Sequence, residues 1–317
     1  MKPIESGEFM ADSLLEWQTA FLAEHRLPPS YLQHAQFWFD SLAGALALHQ
    51  KGAGRSVLVA VNGCQGSGKT TLCDYLRAVL EAEYGVQVVS LSLDDFYLTR
   101  EERQRLAAEV HPLLATRGVP GTHDLGLLNR TLDGLLAPPG SAPVDVPRFD
   151  KAVDDRRPPG SWETVIPPVQ LVLLEGWCMG ARPQPAAQLA EAVNELERGE
   201  DPDGRWRAYV NEALQREFLP LYQRVDQWVM LKAPSFACVH RWRLEQEQKL
   251  AATVADSGPG SGNDGLMNDA ALVRFIQHYQ RLTEGCLARL PELVHYLYCL
   301  DEDRQVTAGN HPGNSVP

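Results

Sequence analysis

An α/β fold, a parallel sheet flanked by helices, follows from short apolar runs that alternate with helical stretches along the chain. Four runs read as strands: Val57 to Val61, Val86 to Leu93, Val169 to Leu174 and Trp228 to Leu231. A second observation sets the topology's use. The first run leads directly into Gly63-Cys64-Gln65-Gly66-Ser67-Gly68-Lys69-Thr70, and Thr71 to Glu81 then reads as a helix. Strand, glycine-rich turn and helix in that order form a phosphate-binding loop, and the fold expected is that of the P-loop NTPases.

The chain opens with a helical extension. Residues 12 to 50 read as two amphipathic helices split by "RLPPS", one lined by Leu14, Leu15, Trp17, Phe21 and Leu22, the other by Phe37, Trp38, Leu42, Leu46 and Leu48. These aromatics are expected in the core. Residues 1 to 54 are therefore expected to form an N-terminal helical extension packed on a P-loop domain of residues 55 to 306. "KGAGRS" leads into the first strand. In the loop, G-x-x-x-x-G-K-[ST] is met at every fixed position. Glycines let backbone N–H groups turn inward around a β-phosphate, and the helix N-terminus adds its dipole. Lys69 reaches the β- and γ-phosphates and the Thr70 hydroxyl holds Mg²⁺. The nucleotide set is then Gly63, Cys64, Gln65, Gly66, Ser67, Gly68, Lys69, Thr70 and Thr71, with Cys64 a filler rather than a redox switch.

In parallel α/β sheets ligands lie beyond the carboxyl ends of the strands, so charged residues there carry the chemistry. The second strand runs into "SLDDFYLT", which puts Asp94 and Asp95 where a γ-phosphate ends. A carboxylate there can take the proton of an attacking hydroxyl or hold the metal's water shell. The third strand ends in Glu175-Gly176 and the fourth in Lys232-Ala233-Pro234. Further on, "DSGPGSGNDG" (256–265) reads as a mobile loop, and Leu272, Phe275, Ile276, Tyr279, Leu282, Cys286 and Leu290 repeat at helical spacing. The tail, 307 to 317, is expected to be disordered.

Composition narrows the partners. In 317 residues, 29 basic and 41 acidic side chains give a formal charge of −12, which argues against nucleic acid. Six cysteines show neither C-x-x-C pairing nor zinc spacing and fit a reduced cytoplasm. No stretch approaches 18 apolar residues, so no membrane partner is expected.

"GCQGSGKTT", "LDDFY" and "LLEGW" together resemble the phosphoribulokinase, uridine kinase and pantothenate kinase group of P-loop kinases. "RGVPGTHDL" (117–125), "VPRFDKAVDDRRP" (146–158), "LLEGWCMG" (173–180), "HRWRLEQEQKL" (240–250), "GLMNDAALVRFIQHY" (265–279) and "YLYCLDEDRQV" (296–306) resemble, in order, the D-glycerate 3-kinase family. The resemblance runs from about residue 55 to 306. A stretch near 181 to 215 looks longer than that family's connection. The resemblance implies ATP and Mg²⁺ as cofactors, a helical lid near residues 235 to 265, and the small molecule D-glycerate as acceptor. It implies that Asp94 is the base towards the hydroxyl, that Asp95 orients it or the metal, and that Glu175 assists Mg²⁺. The catalytic set is thus Lys69, Asp94 and Glu175, and the metal set Thr70, Asp94 and Glu175. His123 and Asp124 are expected to face the acceptor, Arg148 and Lys151 its carboxylate, and Arg241 or Arg243 the phosphates as the lid closes. The "DDRR" run (154–157) reads as loop charge. Two rivals stand beside D-glycerate phosphorylation: another acceptor (a nucleoside, pantothenate or a sugar acid), or a regulatory protein that binds ATP without catalysis.

Overall fold

The computed structural model describes residues 14–245 and 269–310. Its main sheet has six strands: β1 Val57–Gly63, β2 Val88–Ser92, β7 Leu171–Gly176, β8 Gln227–Lys232, β9 Tyr296–Leu300 and β10 Val306–Asn310. Between β2 and β7 lie four short strands in two ribbons: β3 Val144–Val146 with β6 Glu163–Val165, and β4 Phe149–Asp150 with β5 Asp155–Arg156. The sheet order is β10-β9-β8-β1-β7-β2, all neighbours parallel except β9 and β10. β1 and β7 are buried along their whole lengths, because helices cover both faces.

Alternation along those strands divides the interior in two. Val57, Val59 and Val61 of β1, with Leu171 and Leu173 of β7, enter one core; Leu58 and Ala60, with Val172 and Leu174, enter the other. The first core is covered by α1 Glu16–His25, α2 Ser30–Ala53 and α3 Lys69–Tyr84. The two N-terminal helices contact α3. Helix α2 buries Leu32, Ala35, Phe39, Leu42, Ala43, Leu46 and Ala47, whose spacing makes one stripe with alanines that permit close approach. Each large apolar side chain among them contributes roughly 1.5–3 kcal/mol by leaving water.

The core positions on these helices differ in part from those expected. Phe21, Leu22, Leu42 and Leu46 are buried, but Leu14, Leu15, Phe37 and Leu48 are exposed. Leu14 and Leu15 precede α1, while Phe37 and Leu48 fall outside the buried stripe of α2. The tail expectation also changes. Residues Thr307 to Asn310 belong to β10, which pairs antiparallel with β9 and closes that edge of the sheet. The rest of the tail, and the glycine-rich stretch 256–265, lie outside the described residues.

The second core is covered by α4 Arg100–Glu109, α5 Leu125–Leu135, a run of short helices, and the long α11 Asp269–Arg289. The short helices α6 Ala186–Ala190, α7 Glu195–Glu200, α8 Arg205–Ala213 and α9 Leu219–Tyr222 include the 181–215 stretch. It is anchored by charge inside the protein. Arg281 of α11 donates to Glu197 at 2.5 Å, and Arg207 lies 3.3 Å from Asp201. All four side chains are 8% exposed or less. Losing one partner of such a buried pair costs about 3–5 kcal/mol, since the other is left uncompensated. The stretch therefore fixes α11, and α11 supplies part of the cavity described next. Helical residues 236–245 (α10) follow β8.

Candidate active site

Register places the chemistry. Val61 of β1 and Ser92 of β2 both pair with Glu175 of β7, so Glu175 stands between the entry to the loop and the exit of β2. The loop needs its glycines for contact as well as for turning. Gly66 has φ +78, and a Cβ there would lie 2.8 Å from Cβ of the buried Trp242, so only glycine lets α10 rest on the loop. No side chain caps the N-terminus of α3, which leaves its N–H groups available to an anion. Thr70 donates its hydroxyl to Glu175 Oε1 at 3.0 Å, and Lys69 Nζ lies 3.8 Å from Glu175 Oε2. Burial pushes the Cys64 thiol up to about 12, which leaves it without thiolate character.

Asp94 lies just past β2, in a 3₁₀ turn spanning Leu93–Phe96. The Tyr97 hydroxyl donates to Oδ1 at 2.6 Å and Lys151 Nζ donates to Oδ2 at 2.7 Å. Burial alone would raise this carboxyl. Lys151, with help from Tyr97, outweighs burial and holds it well below the usual carboxylate range. Asp94 is therefore an ionised acceptor held in one orientation.

Asp94, Lys151, Lys69, Thr70 and Glu175 share a cavity of about 250 Å³ with Gln65, Gly66, Gly68 and Thr71 of the loop. Its other walls come from Tyr97, Arg117, Trp177, Arg243 of α10, and Phe275 and Tyr279 of α11. Four cations face two carboxylates there, a local positive excess in a chain that is acidic as a whole. A hydroxyl beside a carboxylate, with a second carboxylate near, offers the hard oxygen donors that Mg²⁺ takes. Across the loop lies a second cavity, of about 420 Å³. It is lined by Ser67, Gly68 and Thr71, by Tyr31 and His34 of α2, and by Arg304 and Gln305 of the β9–β10 turn.

The expected site residues divide by position. Lys151 lines the main cavity, but Arg148 turns away to Asp95 (3.3 Å) and Glu163 (3.2 Å). Asp95 also accepts from the Phe149 backbone N–H at 3.1 Å. It shares a neighbouring recess with Arg148, Thr70 and Glu175. Asp124 caps α5 by accepting from Leu127 N–H at 2.8 Å and lies 3.3 Å from Arg156. His123 lines no part of the main cavity. Its segment bonds back onto residues 96 to 98, which drives the ring beneath Tyr97, 4.7 Å between centroids. Arg241 pairs with Glu302 at 2.9 Å, outside the cavity, whereas Arg243 reaches it, its guanidinium 5.7 Å from the Phe275 ring centroid.

Burial gives His123 a consequence for stability. It pushes the imidazole down from 6.5 to about 4, and His278 shifts likewise. Between those values the unfolded chain takes up a proton that the folded chain refuses. The stabilisation is whole above pH 6.5 and is lost as pH falls, by up to about 1.4 kcal/mol per pH unit for each ring, until about pH 4. Urea unfolding at a series of pH values should show His123→Phe falling less steeply than the parent between pH 6.5 and 4.5. Equal slopes would mean that His123 takes up its proton in the folded protein as readily as in the unfolded chain.

Arg117, Tyr97, Trp177, Phe275 and Tyr279 were missed as site residues, although Arg117 opens the "RGVPGTHDL" motif. Nor is the 154–157 run free loop charge. Asp154 pairs with Arg103 and Arg117, and Arg156 with Asp124.

A phosphate loop, a hydroxyl–carboxylate pair beside it and an ionised aspartate facing a cation-lined cavity define an ATP-dependent P-loop kinase with an alcohol acceptor. The chain is 32% identical over 271 residues to an uncharacterized kinase, mug58, of Schizosaccharomyces pombe, covering 83% of this chain and 92% of that protein. It is 31% identical over 226 residues to a chloroplastic D-glycerate 3-kinase of Arabidopsis thaliana, covering 68% of this chain but 44% of that protein. Among solved structures, D-glycerate 3-kinase from Cryptococcus neoformans superposes with a TM-score of 0.68 at 27% identity, over 85% of this chain and 97% of that one. No protein-family model matches the chain. The chain belongs to the family of P-loop kinases that these proteins represent, D-glycerate 3-kinases among them. Among the described residues no helix is long and apolar enough to cross a membrane.

Proposed function

We propose that this kinase phosphorylates D-glycerate on its 3-hydroxyl, giving 3-phosphoglycerate and ADP. The observation that carries the reading is the main cavity itself: Lys151 and Arg117, two cations from outside the phosphate loop, line it beside one ionised aspartate. An acceptor that is itself an anion suits that lining. Two relatives are named D-glycerate 3-kinases, which supports the same choice.

In this reading the loop and Lys69 hold the β- and γ-phosphates, and Arg243 meets them from α10. The nucleoside occupies the cavity across the loop, between α2 and the β9–β10 turn. Thr70 and Glu175 would hold Mg²⁺, with Asp94 in the same cavity; bound there, the ion would add positive charge against the phosphate oxygens. The acceptor oxygen bonds to the γ-phosphorus as the bond to the β-phosphate oxygen breaks, and the hydroxyl proton passes to Asp94. The low proton affinity of Asp94 suits a loose transition state, in which orienting the hydroxyl matters more than early proton removal. Gln65, Asp95, His123, Asp124 and Arg148 support the walls rather than meet the acceptor. The six free thiols, five of them buried, accord with a cytoplasmic setting.

ADP release should be fast with D-glycerate and slow without acceptor, and phosphorus NMR should show 3-phosphoglycerate. Pantothenate, nucleosides and other hydroxy acids complete the panel. A better acceptor among them would displace D-glycerate, and ADP formed equally fast with none would mean that the phosphate goes to water.

A further inference from the structure

We infer that Arg117 binds the carboxylate of the acceptor and so selects acids over neutral alcohols; the inference rests on the acceptor reading above. Four cations line the main cavity, and the fold assigns three of them. Lys69 belongs to the phosphate loop. Arg243 is carried by α10, which rests on that loop through Trp242 and Gly66. Lys151 is committed to Asp94 at 2.7 Å.

Arg117 is linked to Asp94 by a chain of contacts. Tyr97, bonded to Asp94, meets the Phe149 ring edge-on at 5.2 Å, and the Arg117 guanidinium lies 5.5 Å from the same ring's centroid. A guanidinium beside a ring, bonded to Asp154 through one nitrogen, keeps further N–H groups for hydrogen bonds to a carboxylate. The backbone is equally fixed. Tyr279 donates to the Arg117 carbonyl and Trp177 to the Gly118 carbonyl, both at 3.1 Å. Gly118 has φ +128 and no room for a Cβ, which would fall 2.5 Å from the Tyr279 hydroxyl. Asp154 completes the setting: it pairs with Arg117 and is itself tied to the buried Arg103, 3.0 Å from its carboxylate. Its φ of +55 is a conformation that Asp tolerates, and Arg103 holds it by donating to its carbonyl at 2.7 Å. Asp154 thus orients the guanidinium while leaving part of it, 23% exposed, open to the cavity.

The test compares D-glycerate with glycerol, which offers the same hydroxyls without the carboxylate. In Arg117→Gln, KM for D-glycerate should rise about 10- to 100-fold, the usual worth of hydrogen bonds to a charged group. KM for ATP and kcat/KM for glycerol should stay within about two-fold of the parent. Arg117→Lys should recover part of the loss, since it restores the charge without the fork. An unchanged KM for D-glycerate would overturn the assignment. So would a parallel fall with glycerol and ATP in both variants, because that marks a structural role. If the parent does not use D-glycerate, the acceptor reading fails separately, and the comparison is repeated with whichever acceptor the panel identifies. An acid whose KM depends on Arg117 upholds the assignment, and a neutral acceptor overturns it.

Discussion

Asp94→Asn should bind ATP about as well as the parent and lose kcat by roughly 10²–10⁴-fold, the usual worth of a positioned general base. The geometry makes this substitution clean. An asparagine carbonyl can still accept from Lys151 and its amide can donate to the Tyr97 hydroxyl, so the side chain keeps both partners of the parent. What it loses is the negative charge and the capacity to take a proton. Equilibrium binding of a non-hydrolysable ATP analogue, with and without Mg²⁺, gives the second readout. A variant that keeps most of its kcat removes Asp94 from the base role, and Asp95 and Glu175 become the candidates. Loss of nucleotide binding, confined to Mg²⁺-containing solutions, would instead make Asp94 a metal-site residue.

Lys69→Ala should lower turnover by about 10²–10³-fold, because one fixed positive charge on the transferring phosphoryl group is removed. The ammonium lies 3.8 Å from Glu175 and donates to the Cys64 carbonyl at 3.4 Å, so it is already inside the loop before any phosphate arrives. Its loss leaves Glu175, which is 7% exposed, without that countercharge and adds repulsion towards the phosphates. Lys69→Arg should recover little, since a wider planar guanidinium does not reproduce the compact ammonium that the loop presents to the phosphates. Single-turnover rates with saturating ATP separate this effect from weakened binding. Near-parent turnover by a folded Lys69→Ala protein would sink the phosphate-loop reading.

The parts of this protein legible in its sequence are those set over short chain distances. The loop from Gly63 to Thr70 was readable because strand, glycine turn and helix N-terminus are contiguous, and each fixed position answers to one requirement of phosphate geometry. Asp94 and Glu175 were readable for a related reason: Asp94 follows β2 and Glu175 lies at the carboxyl end of β7, and such strand ends in parallel sheets face the ligand. On α2, by contrast, hydrophobicity alone did not mark the inward stripe. Phe37 and Leu48 are as apolar as Leu42 and Leu46, and burial in the first core distinguishes the latter two. β10 was unreadable in a tail of small and polar residues, since its pairing with β9 supplies what its own composition lacks.

The sequence by itself determined the α/β class, the phosphate loop, the strand-end carboxylates and the membership of a kinase family. Tertiary structure decided how the cations were distributed. Arg148 and Lys151 are three residues apart, yet one turns to Asp95 and Glu163 while the other reaches Asp94. Arg241 and Arg243 are two apart on one helix and point to Glu302 and to the cavity respectively. Which charge meets a ligand depends on the carboxylates and rings that distant segments bring beside it. A guanidinium or ammonium takes the nearest fixed partner that compensates its lost hydration. Such partners lie tens of residues away, as Asp154 does from Arg117, so no local pattern records the choice.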